Sequence, residues 1–524
     1  MTARNILGYK HFPLLFVLII NWMVFLPVII YFPDFIADDF LIFANIKQNL
    51  SVPVSLNINT EYFLFFRPVS YFFLWVNYHI WGNNPFGMKL IVLIVHSIYV
   101  AGLYFLYNQI KQYIKYEIDN RLIIVIILLV TLHTDSFYWI FWICNITELL
   151  VVLFYTFALL AFVSYMKQRK SSSLYLFLLL YVLSILSKQQ SLQLPLLLTV
   201  VLLLYDKYFH TSEKKVFYFL TVGILIMGLV SFINFAFSSH NVSVINNLWK
   251  KPFSIIGTTL YVFTPLFGTK IYQLCLIHKE LCVLCSVVLA LWIWNILYRK
   301  YHLSSKYIFR GLVLFLIIYY PRMAAIGGGR LNSIIIFWFG IFMLIMIPRF
   351  DDKKNIFGCI LILMISLNLY AGWQSVVSGK QVTLMTHRAI MQLQKEISDN
   401  EDKYLIVVRN LEPIEYMYYY YKNGDFGKQG DLRFADIIVY APQTETCFSN
   451  KYLYARKNKN TISVFCVNEN VTLVVEKNFF EKFYMSNYNY ADNGRGFDRI
   501  TFSGPKEYME KQLIYFDGIR WIKI

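Results

Sequence analysis

The sequence predicts a polytopic α-helical membrane protein of about eleven spans, followed by a small mixed α/β domain. Three observations predict it. Of 524 residues, 58% are hydrophobic and only 15% charged, with a mean hydropathy of +0.51, whereas a soluble domain carries roughly 25% charged residues. Apolar runs of spanning length recur over residues 11–373. Past residue 374 those runs stop and short β-rich runs begin. This composition excludes a disordered chain. The seven cysteines form neither a zinc-type cluster nor a disulfide scaffold.

A spanning helix needs about 20 mostly apolar residues. Residues 11–31, 85–107, 147–165, 191–205, 216–237, 281–298, 331–347 and 355–373 meet that need, and 121–132, 173–187 and 307–320 approach it. The first run lacks a small-residue cleavage site and is followed by further spans, so it reads as a span and not as a signal peptide. Tyr71–Trp81 is aromatic but too short, and reads as a helix on the membrane surface. Residues 253–267 are interrupted by Pro265 and flanked by Lys250, Lys251 and Lys270. They read as an interfacial or re-entrant helix.

Basic residues set the orientation. The net charge is +17. Alternate connecting segments hold 18 Lys and Arg, among them Lys167, Arg169, Lys170, Arg299 and Lys300; the others, up to residue 373, hold 10. By the positive-inside rule the N-terminus is cytoplasmic, and an odd span count puts the tail outside. The excess charge is therefore a topology signal and not a nucleic-acid-binding face.

The tail, residues 374–524, has the size of a small domain. Residues 381–398 read as an amphipathic helix. Tyr404–Val408, Ala435–Tyr440, Thr461–Val467, Val471–Val475, Arg499–Phe502 and Leu513–Phe516 read as strands, separated by Gly, Asn and Asp. Cys447 and Cys466 lie here. A disulfide and two reduced buried thiols both stay open.

Ionisable residues near a bilayer are costly and therefore informative. Here they recur at the outer ends of spans. The first outer loop, 32–84, contains Asp38-Asp39 and closes on Arg67-Pro68. Adjacent carboxylates repel, which suits a general base or a metal ligand; solvated loop acids are the bland alternative. A divalent metal stays open, because two aspartates alone make a poor site. Arg67 suits a phosphate or a snorkelling position. The second outer loop carries His133, Asp135 and Glu148 and no Lys or Arg. His133 and Asp135 suit a pocket shared with Asp38 and Asp39; alternatively Asp135-Ser136 starts an interfacial helix. Lys188 stands with Gln189 and Gln190 in a polar hairpin, fit for a phosphate or sugar, or for snorkelling. Arg322 and Arg330 bracket a Gly-Gly-Gly run whose amides could converge on an anion.

Taken in order, these motifs resemble a known family. Ala37-Asp38-Asp39-Phe40, Arg67-Pro68-Val69-Ser70, Trp81-Gly82-Asn83-Asn84-Pro85-Phe86-Gly87 and His96 resemble the opening of GT-C glycosyltransferases. They are closest to the polyprenyl- and dolichyl-phosphate-mannose mannosyltransferases that carry tetratricopeptide repeats. Leu132-His133-Thr134-Asp135 resembles the family's His-Pro-x-His-Thr-Glu, without the first His-Pro and with Asp135 for Glu. Ser187-Lys188-Gln189 with Pro195 resembles its Ser-Lys-Glu motif, with Gln189 for Glu. Arg330 matches an outer arginine before a late span. The likeness covers roughly residues 30–350. The repeats are absent, and the β-rich tail stands in their place.

The resemblance implies a GT-C-like catalytic domain over 1–373; the domain over 374–524 is extracytoplasmic by the charge count. The resemblance also implies transfer of a single sugar, with inversion, from a polyprenyl-phosphate donor to a glycan, lipid or protein acceptor at the outer face. Asp38 would be the base, and Asp39 would tune it or bind sugar or metal. Asp135 and His133 would orient the acceptor or sugar. His96 lies on the helix that carries a histidine in the family, and Gln190 adds an amide beside Lys188. Lys188, Arg330, Arg322 and Arg67 would hold the leaving phosphate. Beyond this donor substrate, a divalent metal is the one cofactor left open. A lipid-linked-sugar flippase and an envelope polysaccharide polymerase or ligase are the competing readings. Abundant Lys, Asn, Ile, Tyr and Phe point to an AT-rich genome and a bacterial cytoplasmic membrane.

Overall fold

A computed structural model describes residues 12–36, 39, 42–43, 46, 67–112, 118–209, 214–237, 333–346 and 354–397. In the tail it describes nine strands and residue 461. The predicted spans 281–298 and 307–320, the segment 253–267 and the Cys447–Cys466 pairing lie outside the described residues.

The described residues are mostly helical. In chain order the helices are α1 (Phe12–Tyr31), α2 (Pro68–Trp81), α3 (Pro85–Lys111), α4 (Asn120–Thr131), α5 (Thr134–Phe141), α6 (Ile146–Gln168), α7 (Ser171–Ser187), α8 (Leu194–Phe209), α9 (Lys214–Phe237), α10 (Ser333–Met346) and α11 (Lys354–Ile397). Among the described residues four helices are long and apolar enough to cross a membrane. A fifth span results if α4 and α5, bent by 56°, count as one. The chain is thus a helical protein with apolar helices of membrane-spanning length.

The chain folds as two compact units, Met1–Asp34 with Val52–Val377, and Phe35–Ser51 with Ser378–Ile524. In the first, α6 is the central helix, packed mainly on α7 and α3. Its apolar window is 78% buried, against 28% for α1. The outer helices instead expose large apolar side chains, among them Met23, Ile30, Leu179, Leu225 and Leu363. Such a belt is tolerable in lipid and not in water.

Polar side chains inside the helices follow the same logic. Asn21, Ser97, Asn108, Thr156 and Ser187 each donate to the carbonyl four residues earlier. Satisfying a donor within its own helix is what a membrane interior demands. Trp22 Nε1 donates instead to Ser97 Oγ at 2.9 Å, joining α1 to α3.

The Trp-Gly-Asn-Asn-Pro-Phe-Gly run is a helix–turn–helix joint. Gly82 ends α2 at φ +56°, ψ −124°, a conformation that favours glycine. Asn84 caps α3 by accepting from Gly87 N–H at 3.2 Å, and Pro85 takes the first helical position. A Cβ at Gly87 would meet the Trp81 ring at 2.2 Å. Tyr78 Oη donates to Asn83 Oδ1 at 3.2 Å, and burial raises its pKa.

Two differences from the expected elements stand out. The span at 355–373 and the amphipathic helix at 381–398 are one unbroken helix, α11. Nothing between them stops a helix: Ala371-Gly372-Trp373 is followed by Gln, Ser and Val, with no proline. Secondly, the tail contains strands that the apolar runs do not reveal. Its strands are β1 (Tyr404–Val407), β2 (Val439–Tyr440), β3 (Leu453–Lys457), β4 (Ile462–Cys466), β5 (Val474–Val475), β6 (Tyr484–Tyr490), β7 (Phe497–Ser503), β8 (Gln512–Phe516) and β9 (Trp521–Lys523). They form sheets ordered β3-β4-β7-β6, β1-β8-β9 and β2-β5, with β1 and β8 parallel. Ser463 and Thr501, paired in the β4–β7 register, share a hydroxyl hydrogen bond at 2.8 Å.

Candidate functional site

Most buried polar side chains of the first unit gather where α1, α4 and α7 end and where α2, α3, α5, α6 and α8 begin. The first fastening is Lys89. It is fully buried in the second turn of α3. Its Nζ donates to Phe32 O at 2.7 Å and Asp34 O at 2.5 Å, and lies 4.4 Å from the Phe32 ring centroid. A cation on carbonyls just past a helix C-terminus complements that end of the dipole.

The second fastening joins α2 to α7. Ser70 Oγ donates to Ser187 O at 2.9 Å. Arg67, half-buried at the N-cap position of α2, stands three residues before that bond, and Lys188 stands one residue after it.

The third is an ion pair. Lys188, in extended backbone just past α7, bonds Glu148 Oε1, in the first turn of α6. Gln190 Nε2 donates to the same oxygen at 3.2 Å. Ser184 Oγ adds a bond to Val151 O at 3.0 Å, which holds α7 on α6.

The fourth is the bend between α4 and α5. His133 is the N-cap of α5, its Nδ1 accepting from Asp135 N–H at 3.0 Å. In a neutral ring the proton is then on Nε2. Thr134 donates through its N–H and its hydroxyl to Asn368 Oδ1, at 3.2 and 3.1 Å, anchoring the bend to α11. Trp139 joins His133 to His96: the ring centroids are 5.2 Å and 6.2 Å away respectively. Phe25 closes on His96 from α1 at 5.0 Å. His133 Nε2, Thr131 Oγ1 and Ser136 Oγ are buried without a hydrogen-bond partner among the described residues.

No protein-family model matches the chain, and no curated protein sequence matches it.

The expected site residues fall into three groups. Arg67, His96, His133, Asp135, Lys188 and Gln190 lie in the first unit, at this end of the helices or, for His96, beside the bend. Asp39 belongs to the second unit. It is buried, and its Oδ2 accepts from Ile36 N–H at 3.1 Å while its own N–H donates to Ile36 O at 3.0 Å. That is the reach-back half of a capping box, which fixes the carboxylate. Asp38, Arg322 and Arg330 lie outside the described residues. Among the described residues no group of three or more His, Cys, Asp or Glu side chains is placed to hold a metal ion.

For Asp135, with two readings open, the backbone adopts the helix start. The capping residue is His133, earlier in the chain than Asp135-Ser136 suggests. For Lys188 the structure supplies a partner that sequence reasoning missed, Glu148. A signal existed: a lone acid two residues into an apolar helix needs a cation, and Lys188 is a lone cation in a polar hairpin. Lys89, one of the ten basic residues of the outer segments, likewise has partners that its place in the sequence does not show.

The opposite helix ends differ. Arg121, Lys167, Arg169 and Lys170 are exposed, and Lys111 is half-exposed. The same residue types are thus solvated at one end and buried in polar fastenings at the other. Chemically, the buried end offers two carboxylates, two imidazoles, amides and cations, a set fit for proton transfer and for neutralising an anion.

Proposed function

We propose that this protein is an integral-membrane glycosyltransferase. It takes a single sugar from a polyprenyl-phosphate carrier and passes it, with inversion, to an acceptor hydroxyl at the extracytoplasmic face. The observation that carries the reading is the one-sided placement of buried ionisable groups. Chemistry on a lipid-linked phosphate needs acids and anion holders at one membrane face, and this end of the helices supplies both. The solvated basic residues at the other end favour that end as cytoplasmic. The finer topology belongs to the same proposal: about eleven spans, a cytoplasmic N-terminus and an extracytoplasmic domain over 374–524.

In the proposed step Asp38 accepts the acceptor hydroxyl proton. The acceptor oxygen bonds the anomeric carbon as the bond from that carbon to the phosphate oxygen breaks. The phosphate leaves with the electron pair, its charge met by Lys188 and Arg67, with Arg322 and Arg330 in the same role. His133 and Asp135 orient the sugar or acceptor. Asp39, held by Ile36 N–H, fits a fixed neighbour that raises the basicity of Asp38.

Mass spectrometry of envelope glycolipids and glycans in a deletion strain tests the reading. The expected result is the loss of one sugar from one glycan class. Complementation with Asp38→Asn should express normally and fail to restore it. A complete glycan profile in the deletion strain would sink the proposal. Label that crosses vesicles without sugar transfer would replace it with a flippase.

A further inference from the structure

Glu148 Oε1 is shared by two donors that reach it from one short hairpin. Lys188 Nζ bonds it from just past α7, and Gln190 Nε2 bonds it at 3.2 Å from the turn Gln189–Ser191. The two partners of the ion pair differ in burial. The Lys188 side chain is 17% exposed and the Glu148 side chain 2%. Part of the Lys188 side chain therefore reaches the surface, and the Glu148 side chain does not. Lys188 can turn away while Glu148 keeps an amide donor, so the buried acid is not stranded when the pair opens.

The geometry points to Glu148 as a positioning residue that holds Lys188 in reserve for a phosphate group. The arriving phosphate displaces the carboxylate from Lys188, and Gln190 retains the carboxylate. This rests on the proposal that a phosphate leaves at this end of the helices. The physical advantage lies in release. A phosphate monoester carries more charge and more acceptor oxygens than a carboxylate, so it wins Lys188 when seated. Once it shifts, Glu148 takes the cation back. The pair weakens standing phosphate affinity and keeps a spent carrier from clogging the site.

The reading makes a sign prediction opposite to that of a merely structural ion pair. Removing the acid should tighten phosphate binding. The test uses the full chain in lipid nanodiscs and measures binding by calorimetry with three probes: geranyl phosphate, geraniol and inorganic phosphate. Glu148→Gln should bind geranyl phosphate about tenfold more tightly, the size of one charge-assisted hydrogen bond no longer in competition. Gln190→Leu, which leaves Lys188 as the remaining donor of the two, should bind it about tenfold more weakly. Lys188→Met should not bind it, and geraniol should bind to none.

Unchanged or weaker binding by Glu148→Gln overturns the exchange, as does unchanged binding by Gln190→Leu. If Glu148→Gln does not yield folded protein, the Gln190→Leu arm decides alone. Wild-type affinity in Lys188→Met removes both the exchange and the phosphate role of Lys188. Its loss there, with Glu148→Gln unaffected, removes the exchange alone. Because the probes carry no sugar, either result stands whatever the transfer assay gives. Binding of inorganic phosphate as tight as that of geranyl phosphate assigns the exchange to free phosphate, and weaker binding assigns it to a lipid headgroup.

Discussion

Gly372 sits in α11 where that helix passes α5. A Cβ built on it would lie 2.2, 2.5 and 2.5 Å from three ring atoms of Phe137. Ordinary carbon contacts are about 3.5–4.0 Å, so the ring or the helix must retreat by more than about 1 Å. Phe137 has little room, being buried and packed edge-on against Phe25 at 5.1 Å. Phe25 in turn packs against His96. Overpacking of this kind costs about 1–3 kcal/mol. The same substitution gains helix propensity of about 1 kcal/mol. Gly358 provides the control, since it lies in the same helix with nothing within 4 Å of its would-be Cβ. Gly358→Ala should report the propensity gain alone, and Gly372→Ala the gain less the clash. The difference between the two is then about 1–3 kcal/mol, read from unfolding midpoints of the purified protein in one detergent. Adding Phe137→Leu to Gly372→Ala should recover part of it. Equal stability of the two alanine variants would refute the close approach of α5 and α11.

Two further outcomes can be checked the same way. Lys188→Met should destabilise by about 1.5–3 kcal/mol, the size of a charge-assisted hydrogen bond, because Gln190 still donates to the carboxylate. Glu148→Gln should cost less, since the Lys188 side chain is the more exposed of the two. The double variant should cost clearly less than the sum, and additivity within about 0.5 kcal/mol would deny the pair. Gly82→Ala should cost about 1–3 kcal/mol through backbone strain at positive φ, whereas Asn83→Ala, at the same turn but outside that conformation, should cost less.

The apolar runs placed most helices closely. The run at 85–107 became α3 at Pro85–Lys111, and 147–165 became α6 at Ile146–Gln168. Length and hydropathy suffice there, because a helix that meets its own hydrogen bonds is the simple answer to an apolar run. The tail was less legible. Tyr404–Val407 and Gln512–Phe516 show apolar patterning, but β6, Tyr-Met-Ser-Asn-Tyr-Asn-Tyr, reads as polar. It is a strand because β7 supplies its hydrogen-bond partners, and no local signal carries that.

The candidate site divides in the same manner. Its residue types and their one-sided order along the chain were in the sequence, since charge near a bilayer is costly enough to be informative residue by residue. The pairings were not. Lys188 with Glu148, Lys89 with the Phe32 and Asp34 carbonyls, and Thr134 with Asn368 join positions 40, 57, 55 and 234 residues apart. Sequence alone determined that this chain is a helical protein with apolar helices long enough to cross a membrane, and at which helix ends its charges collect. Tertiary structure decided which charges neutralise one another, because a buried ion finds its partner through packing and not through proximity along the chain.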